Sequence, residues 1–227
     1  MKDTIILFIH GFYGHIEDFS YIKKYLEDNG YNTHSFILSG HDKIKLDKAT
    51  RYDWIKDCEN EIEELRKRYK NIIIIGHSMG GVLTSTMAVK YKEVKKIILL
   101  APSFEYFGSV DGKLKIIPTL KKAIKLRKDN DFKDYAANSH RVSIPVVREF
   151  MKLVKEHTKD IYDVECPILI ILGDKDFVVP IEKVNRIYEK IENKNKKIIV
   201  IENGIHWFLS SETIYTVLDD IKEFIRS

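Results

Sequence analysis

The chain has 227 residues, of which 44% are hydrophobic and 32% are charged, with 11 glycines, 5 prolines and 2 cysteines. This composition is typical of one globular domain, and it excludes a disordered chain, a collagen-like repeat and a disulfide scaffold. The net charge is +4 and the basic residues are scattered along the chain, so we expect no nucleic-acid partner.

Two features of the sequence concern the cellular compartment. Cys58 and Cys166 lie in unrelated contexts, and we expect two free thiols in a reducing cytoplasm. Residues 5–9 form the first apolar run, which is too short for a signal peptide or a membrane span. The sequence therefore predicts a cytoplasmic protein without stable membrane insertion.

Apolar, strand-like runs alternate with segments of helical period along the chain. The runs are residues 5–9, 31–38, 72–75, 97–100, 168–172 and 198–201, and the second of them is the weakest. The helical patterns are residues 19–26, 54–69, 82–91, 184–191 and 217–225. Uniformly apolar runs are typical of strands buried on both faces. The alternation predicts an α/β fold with a mostly parallel sheet of about six strands.

Residues 103–163 interrupt this alternation. They contain two helical patterns, residues 117–127 and 145–157, joined by a polar segment, and no convincing buried strand. We expect the insertion to lie over the end of the sheet as a small helical cap. It has more apolar residues than a solvated excursion needs, so part of it could line a pocket or pair with a second copy in a homodimer.

The strongest local signal is the Gly-x-Ser-x-Gly motif of residues 76–80, with Ser78 at its centre. The motif directly follows an apolar run and opens a helical pattern, which is the setting of a strained turn that presents a serine hydroxyl. Gly76 and Gly80 would let the strand and helix backbones pass closely. The alternatives are a glycine-rich connection without chemistry and a phosphate-binding loop, although the sequence lacks the usual phosphate-loop motifs.

A serine nucleophile requires a base and a third group that orients the base. Asp174 and Asp176 directly follow one predicted strand, and His206 follows the next. Ligands of open α/β sheets bind at the carboxyl ends of the strands, so these side chains can meet there. The sequence predicts Ser78, an aspartate and His206 in the chain order serine, acid, histidine.

These motifs resemble those of the α/β-hydrolases, and most closely those of the small carboxylesterase and monoacylglycerol-lipase-like serine hydrolases. The matching segments are residues 10–12, 76–81 and 166–180, together with His206. The resemblance covers nearly the whole chain and implies a three-layer α/β-hydrolase fold. Together with the break in the alternation, this leads us to expect residues 1–102 and 164–227 as the core, with residues 103–163 as the cap, or lid.

The resemblance also implies which carboxylate is the catalytic acid. The family pattern Gly-x-x-Asp-x-x-Val-Pro places the acid at Asp176. Asp174 is then expected to be a turn residue that bonds local backbone amides. Glu105 is a weaker rival, because some α/β-hydrolases carry their acid after the preceding strand. The expected catalytic residues are therefore Ser78, Asp176 and His206.

Acyl transfer places negative charge on the former carbonyl oxygen, which two backbone N–H groups can stabilise. Met79, the residue after the nucleophile, is expected to supply one of them. The resemblance implies Phe12 as the other, with Gly11 letting the loop fold toward the serine; a tight turn without this role is the alternative. It also implies His10 and His77 as supporting residues packed beneath the site.

The remaining histidines carry no expected chemistry. They are His15, His34, His41, His140 and His157, which fall in loops or on helix faces and are expected at the solvated surface. None of them has the spacing of a metal-binding pair, so we expect no metal. An acyl-serine intermediate also needs no cofactor.

The expected activity is hydrolysis of small, uncharged carboxylic esters with short-to-medium acyl chains, including monoglycerides. Thioesterases, amidases, C–C bond hydrolases and perhydrolases use the same triad, so these activities stay open. A non-catalytic relative that binds ligands or partners is a second alternative, although such proteins usually lose a triad residue. A membrane-surface lipase is a third, suggested by the lysine-rich stretch of residues 114–127.

Overall fold

The computed structural model describes residues 3–41, 48–105 and 143–227, and the backbone of residues 109–110 and 113–114. Its strands are β1 (Thr4–Ile9), β2 (Asn32–Ser35), β3 (Asn71–His77), β4 (Val94–Leu100), β5 (Ser109–Val110), β6 (Lys113–Leu114), β7 (Ile168–Gly173) and β8 (Lys196–Ile201). Six of them form one sheet in the order β2-β1-β3-β4-β7-β8, and every neighbouring pair is parallel. The predicted parallel sheet of about six strands is confirmed.

Helices follow most of the strands. They are α1 (Ser20–Asp28), α2 (Arg51–Leu65), α3 (Met79–Lys90), α4 (Ile144–His157), α5 (Ile181–Lys190) and α6 (Leu218–Arg226). Short 3-10 helices flank them at Ile16–Phe19, Thr158–Asp163, Phe208–Ser210 and Glu212–Val217. Each predicted helical pattern overlaps one helix, except the pattern at residues 117–127, which lies outside the described residues. None of the helices in the described ranges is long and apolar enough to cross a membrane.

The two faces of the sheet pack against different helices. On β1, Ile5 and Leu7 join a core cluster that includes residues of α2, α3, α4 and α5. Ile6 and Phe8 join a second cluster with residues of α1 and α6. Successive side chains of a strand face opposite sides of the sheet, so burial on both sides requires the uniformly apolar runs seen in the sequence. The result is three layers, with helices on both faces of one sheet.

The edge position of β2 explains its weaker sequence signal. It pairs only with β1 among the described strands, and its residues are exposed or half-buried. A strand at a sheet edge does not need a continuous apolar run, because it is covered less completely. The central strands β1, β3, β4 and β7 carry the clear runs for the opposite reason.

The stretch of residues 103–163 contains α4, which the sequence predicted, and a hairpin, which it did not. The buried side chains of α4, including Phe150 and Val154, belong to the same core cluster as α2 and α3. The hairpin consists of β5 paired antiparallel with β6. Strands of two residues are too short to leave a periodic pattern, which explains why the sequence did not reveal them.

Cys58 and Cys166 are both free thiols, as expected from the sequence. Burial in α2 raises the pKa of the Cys58 thiol well above its ordinary value, and nearby carboxylates add to the effect. Burial also raises the pKa of Cys166 to about 11. Both side chains are therefore thiols and not reactive thiolates at neutral pH.

The first turn of α3 passes so close to β1 that only glycine fits there. A Cβ atom on Gly80 would overlap the carbonyl oxygen of Ile9. Alanine favours a helix over glycine by about 1 kcal/mol, so without this contact Gly80→Ala would stabilise the protein. We expect it to lower the free energy of unfolding in urea instead, by about 1–3 kcal/mol, because overpacking of a dense interior costs that much.

Val89→Ala is the matched control, since Val89 is an exposed residue of the same helix. It also introduces alanine into α3, and we expect its free energy of unfolding to stay equal or to rise slightly. A Gly80→Ala protein as stable as Val89→Ala would contradict the close approach of α3 to β1.

Candidate active site

Ser78 occupies a strained turn between β3 and α3. Its φ is 54° and its ψ is −115°, a conformation that residues with a side chain rarely adopt. Backbone hydrogen bonds hold it, because its N–H donates to the carbonyl of Leu100 at 2.9 Å and its carbonyl accepts from Gly81 at 3.0 Å. The strained turn predicted from the Gly-x-Ser-x-Gly motif is present.

The structure brings three of the predicted site residues together. Ser78 Oγ lies 3.0 Å from His206 Nε2, and His206 Nδ1 lies 2.7 Å from Asp176 Oδ2. All three residues are buried. The chain separates them by up to 128 residues, and the parallel sheet reunites them at the carboxyl ends of β3, β7 and β8.

Asp174 lies in a turn, as expected, but it is Asp176 that bonds the backbone amides of this loop. Its Oδ1 accepts hydrogen bonds from the backbone N–H groups of Val178 and Val179, at 2.7 and 2.8 Å. These are the local amide bonds that had been expected for Asp174. The Asp174 carboxylate instead lies 3.9 Å from Lys175 Nζ. A single inward-facing carboxylate can serve both the loop and His206, because each of its oxygens accepts separately.

Glu105, the weaker rival acid, is engaged elsewhere. Its Oε2 lies 3.6 Å from Lys183 Nζ and 3.4 Å from Arg186 Nη2, both residues of α5. Glu105 thus forms ion pairs with a surface helix. The hydrogen bond to His206 comes from Asp176.

His206 is fixed by its backbone as well as by its ring. His77 Nε2–H donates to the carbonyl oxygen of His206 at 3.0 Å, and the two rings lie 4.9 Å apart. The loops after β7 and β8 also touch, since a Cβ atom on Gly173 would overlap the carbonyl of Gly204. The imidazole is therefore held in place by close backbone contacts.

The loop after β1 lies directly against the serine turn. A Cβ atom on Gly11 would lie 3.0 Å from Ser78 Cβ, so the backbone on either side of Gly11 is close to the hydroxyl. His10 holds this loop, because its Nδ1 bonds the carbonyl of Gly11 at 2.9 Å and its Nε2 accepts from Leu38 N–H at 3.0 Å. Phe12 follows Gly11 in this loop.

Met79 directly follows Ser78 in the chain and is the first residue of α3. The amides of a first helical turn have no partner within the helix and carry partial positive charge. Phe12 and Met79 thus belong to two segments that adjoin Ser78, the loop after β1 and the first turn of α3.

An aromatic wall extends from the Phe12 side chain, and we use this name for Phe12, Tyr13, Trp54 and Phe150. The Phe12 and Phe150 rings stack with centroids 4.8 Å apart and an interplanar angle of 9°. Tyr13 and Trp54 meet Phe12 edge to face, at 4.6 and 5.9 Å. The wall joins α4 to the loop after β1 through apolar ring contacts.

Ser103 lies at the site although the sequence did not predict it there. Its Oγ lies 2.8 Å from Ser78 Oγ, and it is buried beside the turn. One signal was available, since Ser103 comes shortly after β4, and β4 is the neighbour of β3 in the sheet. A lone serine after a strand is too common a pattern to attract notice, and only the coordinates give its distance to Ser78.

His15 was expected at the surface and is in fact buried. Its Nδ1 accepts from Glu17 N–H at 3.4 Å at the start of a 3-10 helix, and its own N–H donates to Asp18. A histidine that caps a helix has no periodic sequence signature, which explains the error. His34 and His157 are half-buried and pair with carboxylates, and His140 lies outside the described residues.

No group of three His, Cys, Asp or Glu side chains in residues 3–41, 48–105 and 143–227 could hold a metal ion. The Asp176 carboxylate and the His206 imidazole bond each other, and the imidazole also bonds Ser78.

Arg51 fastens α4, and with it the aromatic wall, to α2. Its Nη1 lies 2.6 Å from Glu149 Oε2 and its Nε lies 2.7 Å from Glu156 Oε2. Little of the Arg51 side chain reaches solvent. One guanidinium in its planar fork can hold two carboxylates of α4 at once.

We expect Arg51→Gln to loosen α4, because the carboxylates of Glu149 and Glu156 lose their shared partner. Amide hydrogen exchange should become faster in α4 and stay unchanged in the central strand β3. Lys152→Gln is the matched control, since it removes a Glu149 contact within α4 that does not reach α2. Equal exchange in the two variants would contradict the role of Arg51.

Comparisons with known proteins show the family to which the chain belongs. Residues 1–213 match the profile of the family described as serine aminopeptidase, S33. A thermostable monoacylglycerol lipase of Bacillus sp. strain H-257 is 23% identical over 206 residues, covering 88% of this chain and 82% of its own. A carboxylesterase of Bacillus subtilis strain 168 is 22% identical over 229 residues, covering 99% and 93%.

Solved structures with a similar fold include one from a study of LipS and LipT, two metagenome-derived lipolytic enzymes. It superimposes with a TM-score of 0.80 at 20% identity, covering 99% of this chain and 94% of its own. Likeness at this level of identity establishes the fold, which is the three-layer α/β-hydrolase fold. The family match spans most of the chain, and on that ground the protein belongs to the serine aminopeptidase S33 family of α/β-hydrolases.

Proposed function

We propose that the protein is a serine hydrolase that cleaves carboxylic esters through an acyl-enzyme formed on Ser78. One observation carries the proposal: the Ser78 hydroxyl lies 3.0 Å from an imidazole nitrogen whose ring is bonded to a buried carboxylate on its other side. This is the arrangement that activates a serine. The relatives named as a monoacylglycerol lipase and a carboxylesterase support the ester as the substrate class.

The distances support the following acylation step. Ser78 Oγ attacks the ester carbonyl carbon while its proton passes to His206 Nε2. Asp176 keeps the proton of His206 on Nδ1 and stabilises the imidazolium that forms. His206 then protonates the leaving alcohol, and the same base later activates the water that releases the acid.

The charge that develops on the carbonyl oxygen requires donors that are already in position. In this proposal the backbone N–H groups of Phe12 and Met79 bind that oxygen, which is worth about 3 kcal/mol for each donor. The close approach of Gly11 to Ser78 and the start of α3 at Met79 support the assignment.

The aromatic wall supports uncharged substrates with short-to-medium acyl chains. The stacked rings of Phe12 and Phe150 make the contact between α4 and the loop after β1 apolar, and an apolar lining favours acyl groups over charged ones. An aminopeptidase substrate, which the family description would suggest, carries a positively charged amine. In the described part of the chain the nearby carboxylates are engaged, Asp176 with His206 and Glu105 with α5.

Residues 103–163 are assigned the role of a cap over this site. Ser143 N–H donates to Tyr13 Oη at 3.1 Å, so the start of α4 meets the loop after β1. At the other end of the helix, Thr158 Oγ1 donates to the carbonyl of Phe104 at 2.6 Å. Residues 115–142 lie outside the described residues, and a homodimer through the cap stays a prediction.

We expect Ser78→Ala to abolish hydrolysis of p-nitrophenyl esters, with a loss of about 10⁶-fold in kcat, because the variant lacks the attacking oxygen. The assay uses a series of acyl chain lengths, and circular dichroism checks that the variant folds. Substantial activity in the folded variant would overturn the assignment of Ser78. Activity of the unmodified protein on amides alone would overturn the ester preference.

The two aspartates after β7 make a matched pair of variants. We expect Asp176→Asn to lower kcat by about 10⁴-fold, because an amide can no longer hold the required proton on His206 Nδ1. Asp174→Asn changes the more exposed carboxylate two residues away, and we expect its kcat to stay near that of the unmodified protein. The opposite ranking of the two variants would identify Asp174 as the acid.

A further inference from the structure

A second hydroxyl touches the proposed nucleophile. Ser103 Oγ lies 2.8 Å from Ser78 Oγ, and Ser103 N–H donates to the Ser78 carbonyl oxygen at 3.1 Å. Both serines are buried, so the two hydroxyls meet away from bulk water. The Ser78 oxygen therefore has two polar neighbours, His206 Nε2 and Ser103 Oγ.

The surrounding hydrogen bonds decide which serine donates. A carboxylate only accepts, so the 2.7 Å contact with Asp176 Oδ2 places the proton of neutral His206 on Nδ1. His206 Nε2 is then an acceptor, and the single hydroxyl proton of Ser78 is directed at it. The Ser103 hydroxyl must consequently donate to Ser78 Oγ.

The backbone that leads to Ser103 is fixed by its contacts with neighbouring elements. Ala101 has a φ of 44°, and its N–H donates to the carbonyl of Ile171 in β7 at 2.8 Å. Pro102 packs against α3, since a Cβ atom on Gly81 would lie 2.8 Å from Pro102 Cβ. The segment between β4 and Ser103 is thus held on both sides.

We propose that Ser103 is a further catalytic residue, a hydrogen-bond donor to the Ser78 oxygen throughout the reaction. The proposal rests on the serine-hydrolase function proposed above. Ser103 Oγ contacts the oxygen whose bonds change, and in this arrangement its O–H donates to that oxygen. Such a donor is already in place when charge develops on the oxygen, so no reorganisation is needed.

In acylation, an electron pair of Ser78 Oγ forms the bond to the carbonyl carbon, the carbonyl π pair moves to its oxygen, and the hydroxyl proton moves to His206 Nε2. The carbonyl then re-forms, the ester C–O bond breaks, and the alcohol leaves with the proton from His206. Negative charge grows on Oγ before its bond to the carbonyl carbon is complete, and the Ser103 donor stabilises it more strongly than it stabilises the neutral hydroxyl. In deacylation, the bond between the acyl carbon and Oγ breaks, and the electron pair returns to Oγ. The imidazolium supplies the proton, while Ser103 again stabilises the departing oxygen.

The test compares Ser103→Ala with Ser85→Ala. Ser85 is also a buried serine, and its hydroxyl donates to a backbone carbonyl within α3, so its loss removes a hydroxyl of the same kind from the neighbouring helix. Pre-steady-state hydrolysis of a p-nitrophenyl ester gives the acylation and deacylation rates separately. The labelling rate with a fluorophosphonate probe reports the nucleophilicity of Ser78 directly.

We expect Ser103→Ala to lower both rates and the labelling rate by about 10- to 100-fold, the size of a lost hydrogen bond to a charged group. The rates of Ser85→Ala should stay within about threefold of those of the unmodified protein, which corresponds to a change in activation free energy of at most RT ln 3. Rates for Ser103→Ala that match those of Ser85→Ala would overturn the proposal.

Two further variants keep the outcomes distinct. Ser103→Cys keeps the size of the side chain and replaces the hydroxyl with a weak donor, so its rates should fall below those of the unmodified protein even if Ser103→Ala does not fold. Unchanged rates in a folded Ser103→Cys protein would also overturn the proposal. If Ser78→Ala retains activity, the proposed function itself fails, whereas an inactive Ser78→Ala beside an unaffected Ser103→Ala rejects only the role of Ser103.

Discussion

The strained backbone at Ser78 is the constraint on which the site depends. A residue with a side chain at a φ of 54° costs about 1–3 kcal/mol, which the surrounding structure must offset. Hydrogen bonds to Leu100, Gly81 and Ser103 hold the turn, and they come from β4, from α3 and from the segment after β4. The same bonds aim the hydroxyl beyond the end of the sheet. The strained turn joins β3 to α3 and is bonded to β4, so it persists only because these core elements hold it.

Similar strain recurs around the site. Besides Ser78, the described part of the chain has three non-glycine residues with positive φ: Tyr13, Ala101 and Asn203. Each follows the carboxyl end of a strand, β1, β4 or β8. Parallel strands end at one edge of the sheet, so the four loops converge there. Each loop leaves its strand by a sharp turn, which brings side chains from distant parts of the chain within hydrogen-bond distance.

The sequence predicted the fold well because burial on both faces of the sheet writes a continuous apolar run into each central strand. The sequence was less informative about which way individual side chains face and what they contact. The family pattern selected Asp176 as the acid, but it did not reveal that the same carboxylate, and not that of Asp174, also takes the loop amides. His15 is buried because it caps a 3-10 helix, and no periodic pattern announces that. The β5–β6 hairpin is too short to leave a pattern of its own.

The sequence by itself determined the α/β alternation, the strained serine turn and the order of serine, acid and histidine along the chain. These properties are local: they depend on periodicity, on the glycines around Ser78 and on which residues follow each strand. Only the tertiary structure decided which side chains touch. It set the stacking of Phe12 on Phe150, the bridge from Arg51 to α4 and the contact between Ser103 and Ser78. Those contacts join residues far apart in the chain, and their distances follow from packing between strands and helices, which no single segment encodes.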